Sequence, residues 1–199
     1  LQTLAVLDKP DPMEGPFFEE TILVTPSRLP ESVQREIVSC VQRSVAILGL
    51  DDGPVHAELR VDGERASPLE IAPRSIGGRC STILRFEPEA TLEELILHHA
   101  LGMPIDEYSR APGAGGVMML PIPEAGVLRE VGGSEGALEI PGIERLEITI
   151  PVGQKVVPLP EGNRYLGFLF ARAATSEQVE AALRLAHARL DVKVEPSRP

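Results

Sequence analysis

No apolar run in this sequence approaches the roughly 18 residues needed for a membrane-spanning helix, so a helical span is excluded within it. Positive charge is scarce too. Lys and Arg number 19 against 30 Asp and Glu, a net charge of −11, and a surface of that sign does not hold a phosphate backbone. Nucleic acid is set aside as a partner, and a membrane with it. Cysteine is limited to Cys40 and Cys80, whose separation fits neither a metal-ligand spacing nor a disulfide framework. Cys40 is expected as a free, buried thiol, and a reducing, cytoplasmic compartment fits that usage. The stretch Leu1-Gln2-Thr3-Leu4-Ala5-Val6-Leu7 lacks the basic segment of a secretory signal and reads as a strand. Internal repeats and low-complexity tracts are absent.

What remains is an ordinary globular composition, 43% hydrophobic and 25% charged over 199 residues, enough for one large domain or two small ones. Residues 1–8 and 18–25 predict strands, separated by a Pro- and Gly-rich loop from Asp8 to Pro16. Val33, Ile37, Val41, Val45 and Leu48 then recur at helical spacing, with Pro30 at the start and Gly49 at the stop. Two strands, 54–61 and 67–73, flank the turn Asp62-Gly63-Glu64-Arg65. A capping box from Thr91 to Glu94 opens another helix, which ends at Gly102-Met103-Pro104. Composition changes near residue 105, and Ala111 to Gly116 reads as a hinge. Beyond it lie short strands near 116–121, 126–131, 143–150 and 164–171. A final helix opens at Thr175 with a second capping box, to Gln178, and carries Val179, Ala182, Leu183, Ala186 and Leu190 on one face. The expected fold class is α+β, a first unit over 1–105 and a smaller one over 106–199.

The segment Pro54-Val55-His56-Ala57-Glu58-Leu59-Arg60-Val61, with Leu69-Glu70-Ile71-Ala72-Pro73-Arg74 after the turn, carries the most chemistry. Alternate side chains of a strand share a face. Val55, Ala57, Leu59 and Val61 are expected on the apolar face with Leu69, Ile71 and Pro73; His56, Glu58 and Arg60 then share the polar face with Glu70 and Arg74. Burial of one face fixes the register and sets Glu58 across from Glu70. Opposed carboxylates repel unless a cation lies between them. Magnesium suits that place, because it takes hard oxygen ligands and binds through one or two carboxylates plus phosphate and water. Arg74 offers a planar fork to a phosphate or oxyanion. On spacing alone, a solvated polar face that binds nothing is the commoner origin of such a pattern.

The run His56-Ala57-Glu58-Leu59-Arg60, followed by Leu69-Glu70-Ile71-Ala72-Pro73-Arg74-Ser75-Ile76-Gly77-Gly78, resembles the metal-binding hairpin of ATP-grasp enzymes. The closest look is to the L-amino acid ligase branch of the carboxylate–amine ligases. Asp8-Lys9-Pro10 with Gly15-Pro16-Phe17-Phe18-Glu19-Glu20-Thr21 is similar to a strand–loop–strand of that branch. Tyr165 to Arg172, with the helix from Thr175, is similar to its small C-terminal domain. The resemblance implies a C-terminal ATP-grasp subdomain, an antiparallel sheet with helices packed on it, plus a small α+β domain. It implies Mg and ATP as cofactors, Glu58 and Glu70 as metal ligands, Arg74 as the catalytic contact to phosphate or acyl intermediate, and Gly77 and Gly78 as places where backbone approaches the nucleotide. The activity implied is formation of an acyl phosphate from a carboxylate and ATP, then displacement by an amine. A small carboxylate and a small amine are the implied substrates, and a homodimer is compatible. A glycinamide-type purine-biosynthesis ligase, or a non-catalytic binding or dimerisation module of the same shape, is the alternative.

The family's upstream lysines, adenine hinge and glycine-rich lid have no counterpart before Leu1. The chain is therefore expected to be a fragment that is inactive alone, an expectation that ATP turnover by the isolated chain overturns. His56 is expected as a hydrogen-bonded structural residue rather than a substrate contact. His98 and His99, adjacent on a helix, form no shared ligand pair. Glu19-Glu20 is expected as a solvated strand end, Lys9 as a weak anion candidate, and Met118-Met119 as core or pocket wall.

Overall fold

The computed structural model describes residues 1–11 and 21–196. Gly15 to Glu20, including the doublet Glu19-Glu20 and the start of the strand expected over 18–25, lie outside the described residues. In chain order the elements are β1 (Ile22–Thr25), α1 (Glu31–Leu48), β2 (His56–Asp62), β3 (Arg65–Ala72), a 3₁₀ turn (Cys80–Ile83) and β4 (Phe86–Glu87). They continue with α2 (Leu92–Ala100), β5 (Ser109–Arg110), β6 (Ala114–Leu120), β7 (Gly126–Gly132), α3 (Ser134–Leu138) and β8 (Ile143–Ile148). The last are β9 (Lys155–Val156), β10 (Gly167–Ala173), α4 (Ser176–His187) and β11 (Asp191–Glu195). Every ladder is antiparallel, so the α+β class holds. The elements pack as two units. One comprises Leu1–Val6 with Ser27–Pro112, the other Leu7–Pro26 with Gly113–Pro199.

In the first unit α1 buries Val33, Ile37, Cys40 and Val45. Gly49 ends it in the left-handed region, and its N–H donates to Ala46 O at 3.3 Å while that of Leu50 reaches Val45 O at 3.1 Å. The β2–β3 hairpin packs through β3 on this helix. Helix α2 starts at Thr91, whose hydroxyl accepts from the Glu94 N–H while the Glu94 carboxylate accepts from the Thr91 N–H, the reciprocal box that the sequence announces. Both cysteines are free and buried.

Residues 1–7 do not form the strand expected there. Apolar alternation becomes a strand only when a ladder takes up its N–H and C=O groups. Here Asp8 makes that exchange, with Val24, at 2.8 and 3.1 Å, as an isolated bridge and not a ladder.

The second unit is built on a four-stranded sheet in the order β1-β6-β10-β8, with a three-stranded sheet, β11-β7-β9, beside it in sequence. Helix α4, again capped by the expected box from Thr175 to Gln178, lays Val179, Ala182, Leu183 and Ala186 on Ile22, Val24, Met118, Leu169 and Ala171. Full burial of a Leu such as Leu169 or Leu183 contributes about 1.5–3 kcal/mol. The contact leaves no room at Gly116, where a Cβ would lie 2.5 Å from Val179 Cγ1 and 3.0 Å from Val24 Cγ1. The hinge read over 111–116 is thus half wrong: Ala114 to Gly116 are fully buried strand. Met118 and Met119 are core, as expected.

Candidate functional site

The turn of the β2–β3 hairpin sets the geometry of everything beyond it. Asp62 pairs with Arg65, leaving a two-residue loop whose first position, Gly63, has φ +57. An L side chain is disfavoured there, and glycine takes the angle without penalty. Regular pairing outward from that loop would put Leu69 opposite Glu58. A β-bulge intervenes: Leu59 pairs with Pro68 and Glu58 with Glu70. Leu69 is the additional residue, and at 60% exposure it stands in solvent rather than on the apolar face where strict alternation puts it. Pro73 is exposed as well. Bulges of this kind re-aim side chains, and proline beside one forfeits no ladder bond.

The bulge leaves the two carboxylates cross-strand partners, as the sequence reading has them. It also puts Ala72 across from His56. His56 Nε2 lies 3.3 Å from Glu58 Oε1; the imidazole is 15% exposed and the carboxylate 27%. An ionised carboxylate only accepts, so this contact requires the proton on Nε2. Just past β3 the chain bends tightly, the Arg74 N–H donating to Ala72 O at 2.9 Å. The bend turns the Arg74 guanidinium back on its own strand. Nη2 donates to Glu70 Oε1 at 3.3 Å and Nη1 to Ser75 O at 3.0 Å. Glu70 and Arg74 are about half exposed, so their pairing is reachable from solvent and adds little to stability.

The loop after Arg74 closes where Cys80 N–H donates to Gly77 O at 3.0 Å. Gly78 has φ +59 and Arg79 φ +57. Arginine in the left-handed region costs roughly 1–2 kcal/mol, which sequence reading, attending to the glycines, passed over. A Cβ on Gly77 would sit 4.0 Å from Arg74 Nη1, an ordinary contact, so Gly77 lies against the guanidinium without being required by it.

The remaining candidates disperse. His98 Nδ1 meets the Tyr108 hydroxyl at 3.2 Å and His99 Nε2 meets Asp52 Oδ1 at 2.8 Å, so the adjacent histidines face separate partners as expected. Lys9 follows the Asp8–Val24 bridge. Among the described residues no group of three or more His, Cys, Asp or Glu stands ready to hold a metal. The hairpin supplies two carboxylates and no third protein ligand. That donor set suits a hard cation whose other ligands are phosphate and water, and does not suit a structural zinc cage.

Residues 1–83 match the family described as ATP-grasp domain, and residues 118–195 the family described as L-amino acid ligase C-terminal domain 2. Among solved structures the chain is similar to an L-amino acid ligase from Bacillus licheniformis, with a TM-score of 0.84 and 26% identity over 96% of this chain and 48% of that one. A phosphoribosylglycinamide synthetase from Anaerococcus prevotii has the same fold at a TM-score of 0.74, with 13% identity over 92% of this chain and 47% of that one. The protein y4rH of Sinorhizobium fredii is 22% identical over 91% of this chain and 38% of its own length. The chain thus spans less than half the length of each of these three proteins.

Proposed function

We propose that this chain, whose residues 1–83 match an ATP-grasp domain and 118–195 an L-amino acid ligase C-terminal domain, supplies the metal-binding hairpin of an ATP-dependent ligase joining a carboxylate to an amine. The observation that carries this reading is the cross-strand pairing of Glu58 with Glu70, with Arg74 turned back onto Glu70. Residues 1–105 would close the ATP-grasp domain and 106–199 would form the small C-terminal domain.

On this reading Glu58 and Glu70 hold magnesium, and when bound the ion neutralises charge on the ATP phosphates during transfer. Opposed carboxylates repel, and a cation between them would add to what the Arg74–Glu70 pair already offsets. Arg74 presents its fork beside them, placed to hold a phosphoryl oxygen or the acyl phosphate that forms when a substrate carboxylate attacks ATP. Gly77 and Gly78, which carry no side chain, would let the backbone come close to nucleotide. The amine then displaces phosphate to leave an amide. The chain's own share is positioning and charge stabilisation, and because it spans less than half of the L-amino acid ligase it matches, it is proposed to be inactive alone. A cytoplasmic location suits its two free thiols.

The test uses the full-length enzyme. Glu58→Gln or Glu70→Gln is expected to lower kcat on the order of 10³-fold with little change in fold. Near-normal turnover of either variant would falsify the metal assignment. It would favour instead a non-catalytic module of this shape, while a preference for a phosphoribosylamine as the amine would favour the glycinamide-type alternative.

A further inference from the structure

His56 and Glu58 lie two residues apart on β2, so their side chains share a face, and the contact between them needs no long-range fold to bring it about. Two features make the contact a fixed one. The imidazole is mostly buried, at 15% exposure, and its cross-strand neighbour is Ala72, small and itself buried. A ring held in such a place keeps one orientation, and its Nε2 meets one oxygen of Glu58, Oε1. Glu70 is met through its own Oε1 by Arg74, four residues further on and just past the end of β3. Each carboxylate of the pair therefore meets, through one oxygen, a nitrogen donor close to it in sequence.

We infer that His56 is a positioning residue, which fixes the Glu58 carboxylate by donating from Nε2 and so orients it to bind a hard divalent cation shared with Glu70. The inference rests on the reading of Glu58 and Glu70 as cation ligands. His56 stands behind Glu58 and is not itself a ligand. Imidazole nitrogen is a poor donor for magnesium, and His56, Glu58 and Glu70 do not form a three-ligand group. A flexible Glu must give up rotamer freedom when it binds a metal; a carboxylate already held has less to lose.

Titration of the 199-residue chain with Mn²⁺ alone, followed by water-proton relaxation, tests this without turnover. Wild type binds, and Glu58→Gln and Glu70→Gln lose the binding. His56→Phe keeps the ring's bulk and removes the donor, and should weaken Mn²⁺ binding about tenfold. His56→Gln returns an N–H at similar reach and should restore most of the affinity. Thermal melts report whether each variant remains folded, with His56→Ala as a second donor-free variant should Phe not be accommodated. If the glutamate variants lose binding while His56→Phe and His56→Ala bind as wild type, positioning by His56 is refuted and the metal site stands. Should His56→Gln bind as poorly as His56→Phe, the imidazole is itself a ligand and the inference is wrong. If wild type does not bind, or the glutamate variants bind unchanged, the metal reading fails and the inference falls with it.

Discussion

At the scale of single residues, Asp11 and His187 both make the second unit lose stability on acidification, over different pH windows. Burial raises the proton affinity of Asp11, but hydrogen bonds from the Thr21 hydroxyl and the Arg184 guanidinium outweigh it and hold the carboxyl below its usual value of 3.8. A carboxyl whose folded pKa is depressed adds stability above its unfolded pKa and gives it up as pH falls through the folded one. The melting temperature of Asp11→Asn should therefore lie below that of wild type at neutral pH, and the gap should close as pH drops below about 4. His187 is shifted down from 6.5 because its half-buried ring is poorly hydrated when charged. The unfolded chain then takes up this proton first, so wild type should lose stability progressively as pH falls below about 6.5, and His187→Gln should lack that component of the slope.

Among the elements, the β2–β3 hairpin separates what pattern alone can tell from what it cannot. The shared face of Glu58 and Glu70 was legible, because alternation that keeps Ala57, Leu59 and Ile71 on one side of the hairpin puts both carboxylates on the other. The bulge was not. Its count depends on where the loop closes, and loop length and bulge trade one residue against each other without altering the alternation on β2. Replacing Leu69 by Ser should accordingly be neutral within about 0.5 kcal/mol. Gly63→Ala should cost about 1 kcal/mol, all of it from the backbone, since a Cβ there meets nothing within 4 Å. Urea unfolding checks both. The capping boxes at Thr91 and Thr175 were legible for a related reason, being satisfied by neighbours three residues away. Elements without local signature were missed. Helix α3 holds a glycine and spans one turn, β4 and β5 have two residues each, and β11 is recognisable only through its distant partner β7. The left-handed Arg79 leaves no mark in sequence at all. His56 was read as a structural residue; its Glu58 contact is the simple consequence of sharing a strand face.

For the whole molecule, the way the chain is shared out has a bearing on dissection. Residues 106–199 expressed alone should fail to give a cooperative melt by circular dichroism, and a peptide of residues 7–26 added in trans should restore it. The reason is covalent order. Strand β1 completes the sheet with β6, hydrogen-bonding from Ile22 opposite Met118 to Thr25 opposite Gly115, yet about ninety residues of the other unit are threaded between the two strands. A fragment begun after residue 26 would present β6 with a bare edge, a row of unmet backbone groups, and holes where Ile22 and Val24 fill the space beneath α4. A ribosome making this protein therefore emits β1 long before its sheet exists, and the strand waits, unpaired, until β6 emerges: the interval in which a chaperone, or another nascent copy, has most to gain from it.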